Sequence, residues 1–463
     1  MQAMLVLFGM RFLLFFTLAC TLQAAPPHIV FIAVDDLNDW VGCLGGHPDV
    51  KTPHMDRLAA RGMLFTNAHC QVPVCMASRV SVFSGRHATT TGCYDFNAEF
   101  HEAATLQDAV PIPLHFKNHG YTTLGGGKLL HRGFQGRLAE TFDTDLTDGR
   151  NPAPPQTLNW PDKSWDYGAF PQRDDEMGDY RLAQKAAAFL RQKQERPFFL
   201  AVGFHRPHVP LLVPQKWFDL YDKATLTLPK APLEDLADLP VKNVTRQQTV
   251  APSHDEVLAA GKWRDFVHAY LACISFVDHC IGEVADAALD GPNADNTLIV
   301  LWSDHGFHLG EKHYWAKRTL WEESTRVPLI FAGKGIPTGA RCAATVGLVD
   351  LYPTLTDLAG LPAPHSFDGT SLAPLITEPT KPWPHATLST WLPGNHVVIQ
   401  DHWRYIRYQE GHEELYDMRS DADQFTNLAA DPKHTELKAR LARSLPAKEA
   451  PLEVISPKPR RKK

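Results

Sequence analysis

A set of chemistry-bearing residues falls at recurring places in the chain: Asp35 with Asp36, Cys75 with Arg79, Lys128 with His131, His205 with His208, Asp304 with His305 and, a little later, Lys317. Asp35, Asp36, Asp304 and His305 together make a mainly hard-oxygen ligand set. Such a set suits calcium, or magnesium or manganese, better than zinc or copper. Arg79, Lys128, Lys317, His131 and His205 supply positive charge around it. An excess of cations beside a metal implies an anionic substrate, a phosphate or sulfate ester, whose oxygens must be neutralised as the ester bond breaks. Cys75 lies in "CQVPVCMASRVSVFSGR" (70–86), four residues ahead of Arg79. By type it fits a disulfide partner, a metal ligand, a thiol nucleophile or the raw material for a group that cysteine does not itself offer.

The elements that must position these residues follow from the hydrophobic pattern. Short, fully apolar runs alternate with helical ones, the mark of a parallel sheet buried on both faces. They are "HIVFIAVDD" (28–36), "YTTLGGGK" (121–128), "PFFLAVGFH" (197–205), "TLIVLWSDHG" (297–306) and "VPLIFAG" (327–333). Four of the five end in the groups named above. Ligands of open α/β sheets bind outside the carboxyl ends of the strands, so one orientation gathers every pair on one rim. Taken singly, an acidic pair is often a helix cap, "HRPH" a stiff loop and "DHG" a turn; their joint placement favours a site. Between the strands, "TPHMDRLAARG" reads as a helix with Thr52 as N-cap, Pro53 in the first turn and Gly62 as stop. "WRDFVHAYLACISFVDHCIGEVADAAL" reads as a long amphipathic helix. The "SGR" at 84–86 is expected to start or turn the helix that aims Arg79. The Pro-rich stretches 151–172 and 207–232 read as surface excursions.

From about residue 375 the character changes to short alternating strands, "HATLSTW", "HVVIQDHWRYIRYQE" and "HEELYDM", predicting a small antiparallel sheet. The organisation expected is a signal segment (1–24), a catalytic domain (25–375), a C-terminal α+β subdomain (376–455) and a basic tail (456–463). The apolar run after Arg11 is too short to span a bilayer and ends in "LQAA", as a secretory signal does. Export to the periplasm or the extracellular space is therefore expected, with lipid anchoring through Cys20 a weaker alternative and no integral membrane segment. A net charge of -6 gives no general attraction to polyanions, so no nucleic-acid partner is expected. Of the eight cysteines, Cys20 lies in the signal, leaving an odd number, so at least one is unpaired within the chain. Cys273 and Cys280 stand two helical turns apart and cannot bond each other.

The motifs "CMASRVSVFSGR", "DD" after the first strand, "GGGKLLH", "GFHRPH" and "SDHGFHLGEKHYWAK" stand in the order found in sulfatases, and the chain resembles that family over nearly its whole length after the signal. With "CYDFN" (93–97) and "ELYDMRSDADQFTNLA" near the end, it is most similar to the iduronate-2-sulfatase branch and its bacterial relatives. The resemblance implies an alkaline-phosphatase-like α/β fold and a motif cysteine, Cys75, oxidised to formylglycine by a maturation enzyme. It further implies calcium held by Asp35, Asp36, Asp304, His305 and the Cys75-derived oxygen. Arg79 and Lys128 would support the aldehyde hydrate and the sulfate; His131, His205 and Lys317 would contact sulfate or protonate the leaving alcohol. A hydrate has two hydroxyls, one to attack sulfur and one whose deprotonation expels sulfate, which serine or a thiol lacks. Conversion of Cys75 would leave six mature cysteines and account for the odd number.

Two departures stand out. Ala77 occupies the place of the proline in the commonest form of the motif, which bears on the maturation system that accepts it. His305 replaces the asparagine of many sulfatases, as in the iduronate-2-sulfatase branch and in phosphonate monoester hydrolases. The expected substrate is an O-sulfated carbohydrate. The alternatives are a phosphonate or phosphate monoester hydrolase on the same site, and a non-catalytic sulfoglycan-binding protein in which Cys75 stays a thiol. Trp165, Trp217 and Trp391 read first as core or loop anchors and second as sugar-stacking residues.

Overall fold

The computed structural model describes residues 25–239 and 251–454. The signal segment with Cys20 and the basic tail lie outside the described residues. Eight strands form the main sheet: β1 (His28–Asp35), β2 (Gly62–Phe65), β3 (Thr122–Gly127), β4 (Thr144–Asp145), β5 (Phe198–Pro207), β6 (Thr297–Ser303), β7 (Leu329–Gly333) and β8 (Ala340–Cys342). Their order is β8-β2-β7-β6-β1-β5-β3-β4. All run parallel except β7, which is antiparallel to both β2 and β6. The sheet is mixed but mostly parallel, and the carboxyl ends of β1, β3, β5 and β6 share one rim.

Alternation along each strand divides the apolar residues between two faces. Val30, Ile32 and Val34 of β1 join one core with α1 (Pro53–Ala60), α3 (Gly178–Leu190) and α4 (Trp263–Leu289), whereas Ile29, Phe31 and Ala33 join a second. That second core holds α2 (Cys75–Ser84) and α5 (Leu351–Leu358). Burying each Val, Ile or Phe stabilises the fold by roughly 1.5–3 kcal/mol, so a doubly covered central strand is a rigid base for groups at its end.

Details of capping differ from expectation. Thr52 stands at the N-cap of α1, but its hydroxyl accepts the Gly42 N–H at 2.8 Å instead of capping the helix. The helix ends at Ala60, and Gly62 opens β2. The "SGR" segment closes α2 rather than starting it, with Gly85 at φ 66°, a backbone conformation suited to glycine.

A second sheet, antiparallel and four-stranded, comprises β9 (Thr387–Thr390), β10 (His396–Gln400), β11 (Trp403–Arg407) and β12 (Glu413–Asp417) in that order. One face packs Val397, Ile399 and Ile406 against Val72, Val74, Ala77 and Trp321, bracing the chain that enters α2. The two Pro-rich excursions are tied together by a short parallel ladder, Tyr167–Ala169 with Leu211–Val213. Among the described residues no helix is long and apolar enough to cross a membrane, and all seven cysteines are free thiols.

Candidate active site

The strand ends place the side chains. Register slips between Val34 and Asp35, and Asp36 follows at φ 60°, which turns both carboxylates over the rim. Beyond β3, Gly127 takes φ 73° and lies so close to β5 that a Cβ there would sit 2.0 Å from the Gly203 carbonyl oxygen. That tight approach delivers Lys128, whose ammonium donates to Asp35 Oδ2. Cys75 is the first residue of α2, buried beneath the rim. One turn on, Arg79 Nε donates to Asp304 Oδ2 at 2.8 Å and Nη2 lies 3.4 Å from Asp35 Oδ1, all fully buried. Ser78 Oγ also donates to the Asp304 carbonyl at 2.5 Å, so α2 is keyed to the end of β6 by two side chains. Lys317, on the loop after β6, donates to Asp36 Oδ1 at 2.5 Å and to Cys75 Sγ at 3.5 Å.

Asp35, Asp36, Cys75 and His305 each offer one donor atom, all within 4.8 Å of one another. Two of these side chains have buried atoms that make no hydrogen bond, Asp36 Oδ2 and His305 Nε2. His305 Nδ1 lies 2.9 Å from the Gly306 carbonyl, which requires the proton on Nδ1 in the neutral ring. Nε2 then carries a lone pair 3.2 Å from Asp36 Oδ1. Two lone pairs facing each other in a buried site call for a proton or a metal ion between them, and two carboxylates beside an imidazole fit a divalent cation. Asp304 stands beside the cluster, next to the four converging donors; Oδ1 accepts the N–H groups of Asp36 at 3.1 Å and His305 at 3.0 Å, and Oδ2 accepts from Arg79.

The electrostatics are strongly polarised. Burial would raise the Asp35 carboxyl, but Lys128, His208, Arg79 and Lys317 hold it well below the usual range. Burial dominates at Asp36 and Asp304, raising Asp36 and pushing Asp304 up to about 6 against Lys317 and Arg79 respectively. The Cys75 thiol, despite its burial, is drawn well below the ordinary thiol range by Lys128 and Lys317, with help from a His131 hydrogen bond. The pKa of Lys317 is raised by Asp36 and Cys75 in spite of burial, so it stays an ammonium. His205 is lowered by burial and by His208, and His208 falls to about 3 by burial and Lys128.

All eleven residues singled out in the sequence thus meet at one rim, with His131 at its exposed edge beside Phe96. The role of His208 was not anticipated. It pairs with His205, ring centres 5.0 Å apart, and faces Asp36 Oδ2 at 3.9 Å; its place in "HRPH" was the available signal. Asp179 was missed altogether: its carboxylate accepts the N–H groups of His205 and Arg206, each at 2.9 Å, from α3, where no motif marks it. Trp165 and Trp391 are buried, and Trp217 donates Nε1–H to Asp174 at 2.8 Å, consistent with anchors.

The sulfatase family model matches residues 27–361, which include every residue of this site. The chain belongs to the sulfatase family. Its members hydrolyse sulfate esters, and this chain is a sulfatase by that membership. A second match, over residues 310–450, is to the N-sulphoglucosamine sulphohydrolase C-terminal model. A sulfatase of Formosa agariphila is 38% identical over 423 residues, covering 87% of this chain and 83% of its own. Human iduronate 2-sulfatase is 31% identical over 395 residues, covering 73% and 70%. Among solved structures, the phosphonate monoester hydrolase of Agrobacterium radiobacter superposes with a TM-score of 0.72 at 20% identity, covering 90% and 94%, a likeness of fold. The sulfatase fold accounts for both the mostly parallel sheet and the C-terminal antiparallel one.

Proposed function

We propose that this sulfatase hydrolyses an O-sulfate ester of a carbohydrate, with Cys75 converted to formylglycine by a maturation enzyme and calcium held by Asp35, Asp36, His305 and the residue-75 oxygen, with Asp304 alongside. The observation that carries this reading is the placement of Cys75: at a helix start, inside a four-donor cluster, with Lys317 3.5 Å from its sulfur. The carbohydrate is supported by the similarity to iduronate 2-sulfatase and by the match to a sulfohydrolase of a sugar.

The chain's own residues define the chemistry around that position. When bound, the cation and the hydrated aldehyde supply an acidified hydroxyl for attack on sulfur and a second hydroxyl for release of sulfate. Lys128 and Lys317 retain their protons close enough to residue 75 to feel its charge, and there they neutralise charge on the sulfate oxygens. Arg79 is committed to Asp35 and Asp304 and to two backbone carbonyls, and so fixes the ligands in place. We assign protonation of the leaving alcohol to His205: Lys317 already donates to Asp36 and Cys75, whereas His205 is half-buried at the mouth. An arriving anion would raise its pKa toward the working range. The apolar amino-terminal segment supports export, which cell fractionation with antibody detection checks.

Turnover of 4-nitrophenyl sulfate is compared with that of 4-nitrophenyl phosphate and phenylphosphonate, followed by sulfate release from sulfated uronate oligosaccharides. Dominant turnover of sulfate esters is expected. Dominant phosphonate turnover would overturn the proposal in favour of a phosphonate hydrolase, and absence of all turnover in protein from the native host whose Cys75 remains a thiol would favour a binding protein.

A further inference from the structure

We infer that Tyr270, on α4, is a positioning residue for the cation site: its hydroxyl holds Asp36 in the left-handed backbone conformation that turns the carboxylate into the donor cluster. This inference rests on the calcium reading above. Asp36 is a non-glycine residue at φ 60°, a strained conformation that persists only where surrounding contacts over-determine it. At this point β1 has slipped register against β5, so the Asp36 carbonyl has left the ladder. Tyr270 replaces the lost partner. Its O–H donates to the Asp36 carbonyl at 2.7 Å, and its oxygen accepts the Asn38 N–H at 3.1 Å. One phenol thereby spans the turn and fixes both ends.

The ring is held as firmly as the turn. Tyr270 is fully buried, stacked on Phe307 with ring centres 5.6 Å apart and edge-on to Trp40 at 5.5 Å. Phe307 lies two residues beyond His305, and its carbonyl accepts from Asn38 Nδ2 at 3.0 Å. Ser303 completes the circuit, accepting the Leu37 N–H at 3.1 Å and donating to the His305 carbonyl at 3.0 Å. The turn that carries Asp36 and the turn that carries His305 are thus cross-linked by neutral hydrogen bonds, and Tyr270 is the member that comes from a separate element. Burial pushes its phenol well above the usual range, so the donor proton stays on the oxygen.

The test is calorimetric titration of calcium into chelator-stripped full-length protein, comparing the parent, Tyr270→Phe, Ser303→Ala and a control, Tyr221→Phe. Tyr221 makes a comparable buried hydrogen bond to Ser275 Oγ at 2.6 Å, on the same helix but outside the site. Outer-shell changes typically weaken metal binding 10–100-fold, so Tyr270→Phe is expected to raise the calcium Kd by about 10-fold or more. Its calcium-free Tm should fall no further than that of Tyr221→Phe, whose calcium Kd should stay within twofold of the parent. A Tyr270→Phe Kd within twofold of the parent overturns the inference, as does an equal loss of affinity in Tyr221→Phe. A parent that binds no calcium overturns the calcium reading and this inference with it. If Tyr270→Phe does not fold, Ser303→Ala carries the comparison, with the same 10-fold expectation and the same twofold limit.

Discussion

Replacing Arg79 by methionine isolates the electrostatic framework of the site. The thioether retains much of the apolar stem and removes the guanidinium, which meets Asp304 at 2.8 Å and Asp35 at 3.4 Å and also bonds the carbonyls of Lys128 and Leu129. At an effective dielectric constant of about 20, unit charges at those separations attract by about 6 and about 5 kcal/mol. The desolvation cost of burying the guanidinium offsets much of this, and breaking such a buried pair from one side costs about 3–5 kcal/mol, because the carboxylates are left uncompensated. Arg79→Met should therefore lower unfolding free energy by that amount in chelator. Saturating calcium beside Asp35 restores positive charge, so the penalty should shrink by more than half. Urea denaturation of the wild type and Arg79→Met, with and without calcium, measures both. A penalty below about 1 kcal/mol in chelator, or an equal penalty in both conditions, would refute the electrostatic reasoning.

Other outcomes follow from single contacts. Lys317→Met removes the ammonium between Asp36 and Cys75 and is expected to lower kcat for 4-nitrophenyl sulfate by about 100-fold or more, with the far-ultraviolet spectrum unchanged. Chelation should abolish turnover and lower Tm, and calcium should restore both more fully than magnesium, as the mixed carboxylate, imidazole and residue-75 ligands suit a flexible shell. Asp278 of α4 is buried against the start of α1, where it accepts the N–H groups of His54 at 3.1 Å and Met55 at 2.7 Å, and burial pushes its pKa up to about 7. With the folded pKa above the unfolded one, its stabilising contribution is full below about pH 4 and is lost as pH rises through about 7. Asp278→Asn should therefore gain stability relative to wild type between pH 5 and pH 8; parallel unfolding curves would contradict this.

The strand ends were legible because a buried parallel strand is apolar until it reaches the rim, so the first polar residues after it mark the site. That rule located Asp35, Lys128, His205 and Asp304 together. Direction was not legible: "VPLIFAG" is apolar throughout, and such a run reads the same in a parallel or an antiparallel place, yet β7 runs antiparallel. The supports were hidden for another reason. Tyr270 and Asp179 lie on helices whose sequence reports only an apolar period, and their hydrogen bonds to distant turns exist only once the chain is folded. Asp304 carries a further role that residue type alone did not announce, since its two oxygens also accept N–H donors from Asp36, His305 and Arg79 and so tie three segments together.

The most direct measurement is mass spectrometry of the tryptic peptide from Gly62 to Arg79 in protein made by its native host, after thiol alkylation. The peptide holds two cysteines, Cys70 and Cys75, so one serves as internal control. Formylglycine chemistry predicts Cys70 alkylated and residue 75 carrying the mass of the aldehyde. Alkylation of both positions in protein that turns over sulfate esters would contradict it.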